Sequence, residues 1–171
     1  SESTAIYWSS HRAMACVLLR PTLIYGGGSN GSLALLANFG QRWRVFPNIP
    51  GATGLRQPIH ADDLATACIS AMTRAESLPN IIRVGGAEQL SFAAMLSRTR
   101  GSLPCWTIPV PVPIRLTRVV LRVLRCFPRW RHLDHGLVDR LQHDQTIDNG
   151  VAMYKLGWLP GRFDPGRSNN F

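Results

Sequence analysis

Acidic residues are scarce in this 171-residue chain: ten Asp and Glu stand against nineteen Lys and Arg, a formal net charge of +9, nearly all of it arginine. Such a balance suits nucleic acid, an anionic membrane surface or phosphate-bearing substrates, and equally an arginine-rich proteome. No helix-turn-helix, RNP, KH or zinc-finger pattern is present, so nucleic acid is not expected as a partner. Long apolar runs are missing too. No stretch reaches the roughly 18–20 uninterrupted apolar residues of a membrane span, and the opening SESTAIYWSS lacks the basic-then-apolar pattern of a signal peptide. A cytoplasmic soluble protein is the expectation. Paired cysteines are absent: Cys16, Cys68, Cys105 and Cys126 are widely spaced in apolar surroundings, which points to buried reduced thiols. His132-x-x-His135, with Asp134 and His143, has no second ligand pair at a recognisable spacing. These are expected to be surface or capping histidines, and no metal is expected. What is present is enough for one sizeable core, since 45% of residues are hydrophobic and 17% charged.

Along the chain, residues 2–14 read as the last turns of a helix leading into a strand at 15–25, so the chain is expected to begin mid-domain. In VLLRPTLIYGGGSNG, residues 17–31, the apolar run suits a buried strand, with Pro21 tolerated at an edge, bulge or strand end. The glycines that follow let the backbone leave the sheet close against a neighbour, which in an α/β sheet is usually a ligand at the carboxyl end of the strand. The spacing of Leu33, Leu36 and Ala37 predicts a helix ending near Gly40, and Gly and Pro then punctuate short extended pieces at 43–46 and 56–60. Asp62 or Asp63 is expected to cap a helix carrying Leu64, Ala67, Cys68, Ala71 and Met72. NIIRVGG (80–86) reads as a short strand, and Ser91 as the N-cap of a helix closed by Gly101. CWTIPVPVPI is too rich in proline for anything but an extended edge segment. The alternation of strands and helices predicts an α/β fold with crossover connections.

Four segments in this order carry a resemblance. LLRPTLIYGGG, RQPIHADDLATACISAM, NIIRVGGAEQLSFAAML and YKLGWLPGRFDP together resemble the second half of an extended short-chain dehydrogenase/reductase. The likeness is to the NAD-dependent epimerase/dehydratase group, also called nucleoside-diphosphate-sugar epimerase-like, and spans about residues 2–166. It implies the C-terminal portion of a Rossmann-like NAD(P)-binding fold plus a small substrate-binding subdomain, with the N-terminal half missing. Residues 1–90 would hold the C-terminal part of the Rossmann-like domain with interleaved substrate-domain segments. Residues 91–171 would be mainly substrate-binding subdomain and C-terminal tail.

The family's G-x-x-G-x-x-G turn, whose amides hold the cofactor pyrophosphate at a helix N-terminus, has no counterpart here; Gly26-Gly27-Gly28-Ser29-Asn30-Gly31 has neither its spacing nor a following acidic residue. Tyr7 and His11 imitate the family's Tyr-x-x-x-Lys pair with His for Lys, too close to Arg20 for that role. No catalytic residue is therefore assigned. The resemblance implies that Pro21, Thr22 and Leu23 pass beside the nicotinamide of NAD or NADP in the full-length parent, while the isolated fragment is expected to hold neither. It implies further that Tyr25 and Gly26 open the substrate cleft and that Arg56 meets a phosphate of a nucleotide-sugar-like substrate, to which a guanidinium fork is suited. His60 and Asp63 are expected to be structural, tying loop to helix.

Residues 113–133, PIRLTRVVLRVLRCFPRWRHL, stand apart. If residues 114–127 are helical, Arg115, Arg118, Arg122 and Arg125 fall within an arc of roughly 80° and the rest is almost wholly apolar. The expectation is packing under the substrate domain; the alternatives are peripheral contact with an anionic membrane or with a partner subunit. Two function classes follow: an NAD(P)-dependent epimerase, dehydratase or reductase-like protein of which this chain is an inactive fragment, or a non-catalytic binding or assembly protein of the same fold. Oligomeric state is not fixed by either.

Overall fold

The computed structural model describes residues 15–28, 31–75, 78–113 and 142–167, together with Glu2, Thr4, Tyr7, His11 and Leu116. The arginine-striped segment at 114–127, apart from Leu116, Cys126, and the His132, Asp134 and His135 group lie outside the described residues, as does most of the 2–14 segment.

Among the described residues, eight short strands pair two by two. β1 (Leu18–Pro21) runs parallel to β6 (Ile81–Val84), β2 (Ile24–Tyr25) parallel to β5 (Ile59–His60), and β3 (Val45–Asn48) parallel to β8 (Ile108–Pro111). β4 (Leu55–Arg56) pairs antiparallel with β7 (Leu90–Ser91). The helices are α1 (Ser32–Trp43), α2 (Ala61–Thr73), α3 (Phe92–Gly101) and α4 (Gly150–Leu156), with a 3₁₀ turn at Pro165–Arg167. Parallel pairs require long connections, and the helices occupy them, so the fold is α/β.

The apolar run at 15–25 does not form one strand. Pro21, which has no amide to give a ladder, ends β1; the Thr22 amide still donates to Val84 O at 3.0 Å, but Leu23 O accepts from Ile59 N at 2.9 Å. The chain thus changes partner from β6 to β5 within two residues. α1 does not stop at Gly40 either. Gly40 lies inside the helix because a Cβ there would stand 2.9 Å from the Phe46 ring and 3.1 Å from Leu103, so it is a packing glycine. The stop comes at Arg44, whose φ of 56° is left-handed and whose amide donates to Gly40 O.

α2 is capped by His60 rather than by Asp62 or Asp63: the His60 Nδ1 accepts from the Asp62 amide at 3.2 Å. The two acids sit in the first turn, where a carboxylate complements the positive end of the helix. Ser91 caps α3 as its position predicts, accepting from Ala94 N at 3.1 Å, and α3 runs through Gly101 to a cap at Ser102. Glu88 forms a two-bond pair with Arg98, both at 2.7 Å, which holds the Glu88 carboxyl below its ordinary range and ties the β6–β7 loop to α3.

Among the described residues, the core has two apolar clusters. One joins Leu33 and Ala37 of α1, Phe46 of β3, Met95 and Leu96 of α3, with Tyr25, Leu103 and Phe163. The other joins Ile82 and Val84 of β6, Ala67 and Ala71 of α2, Leu156 of α4, with Ile59 and Trp158. Each draws on both sides of residue 90. The cysteines differ from expectation: Cys16 and Cys105 are half-buried and Cys68 is exposed, because Cys68 falls beside, and not within, the narrow stripe of α2 that buries Ala67 and Ala71.

Candidate cofactor and substrate site

The carboxyl ends of β1 and β6 meet the amino ends of β2 and β5 in one region. Pro21 stands beside Val84 in register, and the chain after Val84 is Gly85-Gly86. The Thr22 hydroxyl donates to Gln57 O, and the Gly86 amide donates to the same carbonyl at 3.3 Å. Gln57 therefore knots the loop after β1 to the loop after β6. Its own side chain is buried and fully used: Nε2 donates to Gly86 O at 2.8 Å and Oε1 accepts from Ile147 N at 2.9 Å. Asn149, also buried, completes the knot, accepting from Gly85 N and donating to Gly85 O and Gly86 O, all at 2.9 Å. Pro21, Thr22 and Leu23 thus lie on a rigid edge whose backbone directions are fixed by three other segments.

A second group forms one strand further on. Tyr25 stands opposite His60 in register and their rings meet edge-on at 5.1 Å; Phe163 packs on the other side of Tyr25 at 4.9 Å. The Tyr25 hydroxyl donates to Arg162 O at 3.3 Å and accepts from Asp164 N at 3.1 Å. With 5% of its surface exposed, this phenol faces the C-terminal segment, and Gly26 after it takes a φ of 85°. The Asp63 carboxylate accepts from Gly161 N at 2.9 Å and Arg167 Nη1 at 3.2 Å, and its carbonyl accepts from Trp158 Nε1 at 2.9 Å. Asp63 accordingly joins the start of α2 to residues 158–167, and His60 joins it to Tyr25.

Arg56 is set apart from both groups. It is 4% exposed; its Nη1 donates to Leu55 O and His143 O, each at 2.8 Å, and its guanidinium carbon lies 5.9 Å from the centre of the Phe92 ring. Residues 143–145 cover this strand, with Leu55 N donating to Asp144 Oδ1 and Gln145 N to Leu55 O, both at 2.8 Å. Tyr7 is exposed, and its carbonyl is paired with the His11 Nδ1 at 2.9 Å. An open groove of about 700 Å³ runs between Gln57, Ala87, Asp148, Asn149, Met153 and Leu159, and none of the residues expected from the sequence lines it. Among the described residues, no cluster of three His, Cys, Asp or Glu side chains is disposed to hold a metal ion. Gln57 and Asn149 escaped the sequence reading; the adjacent Gly85-Gly86 pair, a sign of close backbone approach, was the available signal.

No protein-family model matches the chain. A UDP-glucose 4-epimerase from Vibrio cholerae is 21% identical over 164 residues, which are 94% of this chain and 46% of that protein. The solved UDP-glucose 4-epimerase of Thermotoga maritima, with UDP-glucose, superposes at a TM-score of 0.68 and 16% identity over 99% of this chain and 48% of its own. The dTDP-glucose 4,6-dehydratase of Bacillus anthracis, in complex with NAD, gives 0.65 and 12% over 99% and 47%. The chain has the fold of about half of a sugar-nucleotide epimerase or dehydratase. It spans about half the length of the proteins it matches.

Within this epimerase/dehydratase half-fold, Tyr25 makes a checkable contribution. Burial pushes its phenol above the ordinary tyrosine range, against the opposing hydrogen bond from the Asp164 amide. The unfolded chain releases the proton near pH 10, before the folded one does, so stability falls as pH rises above about 10. Tyr25→Phe is expected to lower stability by about 1–2 kcal/mol at pH 7 through the lost hydroxyl bonds, and to flatten the alkaline loss. Urea unfolding at pH 7 and pH 11 checks both; equal alkaline losses in the two proteins would contradict the assignment.

Proposed function

We propose that the chain is the cofactor-edge and substrate-side part of an NAD(P)-dependent epimerase or dehydratase that acts on a nucleotide sugar, and that it is inactive without the remainder of the fold. The observation that carries this reading is the shared carboxyl end of β1 and β6, where Pro21, Thr22 and Leu23 are locked to Val84, to Gln57 and to Ile59 at the start of β5. Ligands of parallel α/β sheets sit at the carboxyl ends of the strands.

The residues suit a flat dinucleotide ring at that edge. Pro21 has a fixed φ and no amide, and Gly26 and Gly28 take positive φ, so the chain turns away from the strand end without side-chain bulk. A nicotinamide bound there would accept and return the hydride that such chemistry requires. Pro21, Thr22 and Leu23 would hold it in one orientation through main-chain groups whose directions the Gln57 knot sets. Gly26 would open the substrate side, and Tyr25 would act through position, keeping residues 162–164 against β2. Arg56 would turn its fork to the diphosphate of the substrate once residues 143–145, which cover it here, move aside. No proton transfer is assigned to this chain.

Two measurements test the reading. The 171 residues alone should bind NAD(P) weakly, since no G-x-x-G-x-x-G turn in them supplies amides to a pyrophosphate; micromolar binding by calorimetric titration would overturn the division of labour. In the full-length protein, Arg56→Lys keeps the charge but loses the fork, and should weaken UDP-glucose binding about tenfold, or about 1.4 kcal/mol, with circular dichroism unchanged. Unchanged affinity would remove Arg56 from the substrate site.

A further inference from the structure

The β3–β8 pair is packed on one face only. Phe46 of β3 is buried against α1 and α3, whereas all four residues of β8 are exposed. Side chains alternate across a strand, so Val45 and Pro47 lie on the face opposite Phe46, and parallel register sets Ile108 beside Val45 and Val110 beside Pro47. Two tryptophans stand just ahead of these strands: Trp43 is 63% exposed and Trp106 77%, with Ile108 and Val110 at 46% and 39%. Phe39, one turn before Trp43 on α1, is exposed as well, its ring 6.5 Å from that of Trp43.

The rim of this surface is cationic. Arg42 and Arg44 are both exposed, the Arg42 guanidinium lies 5.9 Å from the Trp43 ring centre, and among the described residues neither has a carboxylate partner. Residues 3–61 and 89–133 contain no Asp or Glu at all, so the segments that build the face bring no negative charge to it. Charge decides what suits the face. The residues that follow β8 in the sequence, 114–133, carry Arg115, Arg118, Arg122, Arg125, Arg129 and Arg131 and no acid, so they hold no carboxylate that could neutralise the rim. A second copy would bring the same cationic surface. An anionic bilayer supplies both an apolar boundary for the rings and negative headgroups for the arginines, and tryptophan favours that boundary.

We propose that the outer face of β3–β8, carrying Ile108 and Val110 with Trp106 ahead of them, together with the exposed end of α1 that carries Phe39, Arg42, Trp43 and Arg44 and joins β8 through the Ile108 amide and Arg44 O, docks on an anionic lipid surface. The contact is peripheral: among the described residues, no helix is long and apolar enough to cross a membrane. The inference stands apart from the catalytic reading and survives its failure.

Vesicle flotation tests it on the full chain, with phosphatidylglycerol/phosphatidylcholine vesicles against phosphatidylcholine alone. Flotation is expected only with the anionic vesicles and is lost at 0.5 M NaCl by screening, on the order of a 5 Å Debye length. The double variant Arg42→Gln, Arg44→Asn keeps a residue tolerant of the left-handed position and should lower partitioning about thirtyfold, at about fivefold per basic residue. Trp106→Ser alone, at an exposed position outside any strand, should lower it about tenfold, and gives a second reading if the double variant does not fold. Absence of flotation on anionic vesicles overturns the proposal. So does flotation that neither variant changes, which would place the contact among the arginines of 115–131. A concentration-dependent dimer abolished by Trp106→Ser would make a second copy the occupant and also overturn it.

Discussion

Replacing Gly86 by alanine should cost at least about 3 kcal/mol, a large part of the roughly 5–15 kcal/mol that holds an ordinary domain together. A Cβ at Gly86 would stand 1.8 Å from the Pro58 carbonyl oxygen and 2.8 Å from its carbon. These are backbone atoms of a buried residue, so no rotamer change relieves the contact. Either the loop after β6 or the strand leading into β5 must move, and moving either breaks the bond from Gly86 N to Gln57 O and the Gln57 side-chain bond to Gly86 O. Gly101 supplies the control: a Cβ there meets nothing within 4 Å, and alanine at this last helical position should gain about 0.5–1 kcal/mol. Urea unfolding of the two variants should separate them in opposite directions from the parent. A Gly86→Ala protein with a parental midpoint would show that β5 and the loop after β6 do not approach as described.

Local pattern and long-range partnership differ in how far they can be read from the sequence. The periodicity of Leu64, Ala67 and Ala71 located α2, and Ser91 located the start of α3, because those signals act over three or four residues. Pro21 left edge, bulge and strand end open, and the single strand expected over 15–25 proved to be two, β1 and β2. Gly40 misled, since glycine serves both as a helix stop and as a site of close packing, and which applies depends on Phe46 and Leu103 coming to it in space. The site was harder still. Tyr25 sat where a cleft residue was expected, but its hydroxyl partners lie at Arg162 and Asp164, far along the chain, and no spacing rule links them. Gln57 and Asn149 are ordinary polar residues in the sequence; their roles exist only because residues 146–149 return to the ends of β1 and β6.

Asn149 is where that return is fastened, and its replacement should be the other severe change. In Asn149→Ala the Gly85 amide and the Gly85 and Gly86 carbonyls lose their bonds to this side chain in a buried setting. Leaving such groups unmet costs about 1–3 kcal/mol each where water cannot enter, so a total of about 2–4 kcal/mol is expected, Gly86 O keeping its bond from Gln57. The neighbouring Asp148→Ala, which gives up only an exposed bond to Gly150 N, should cost under about 1 kcal/mol. Asn149→Asp sharpens the test. Its carboxylate would face two carbonyl oxygens at the positions where the amide now donates, so the charged form is disfavoured and the folded-state pKa rises above the unfolded value near 4. A raised carboxyl pKa means stability is lost as pH rises above about 4 and regained as it falls, when the protonated acid again has a hydrogen to donate. The urea midpoint of Asn149→Asp, measured relative to the parent at each pH, should therefore recover between pH 7 and pH 4, while that of Asn149→Ala should keep a constant deficit. If the two deficits ran parallel across that range, the amide would not be donating to the Gly85-Gly86 carbonyls.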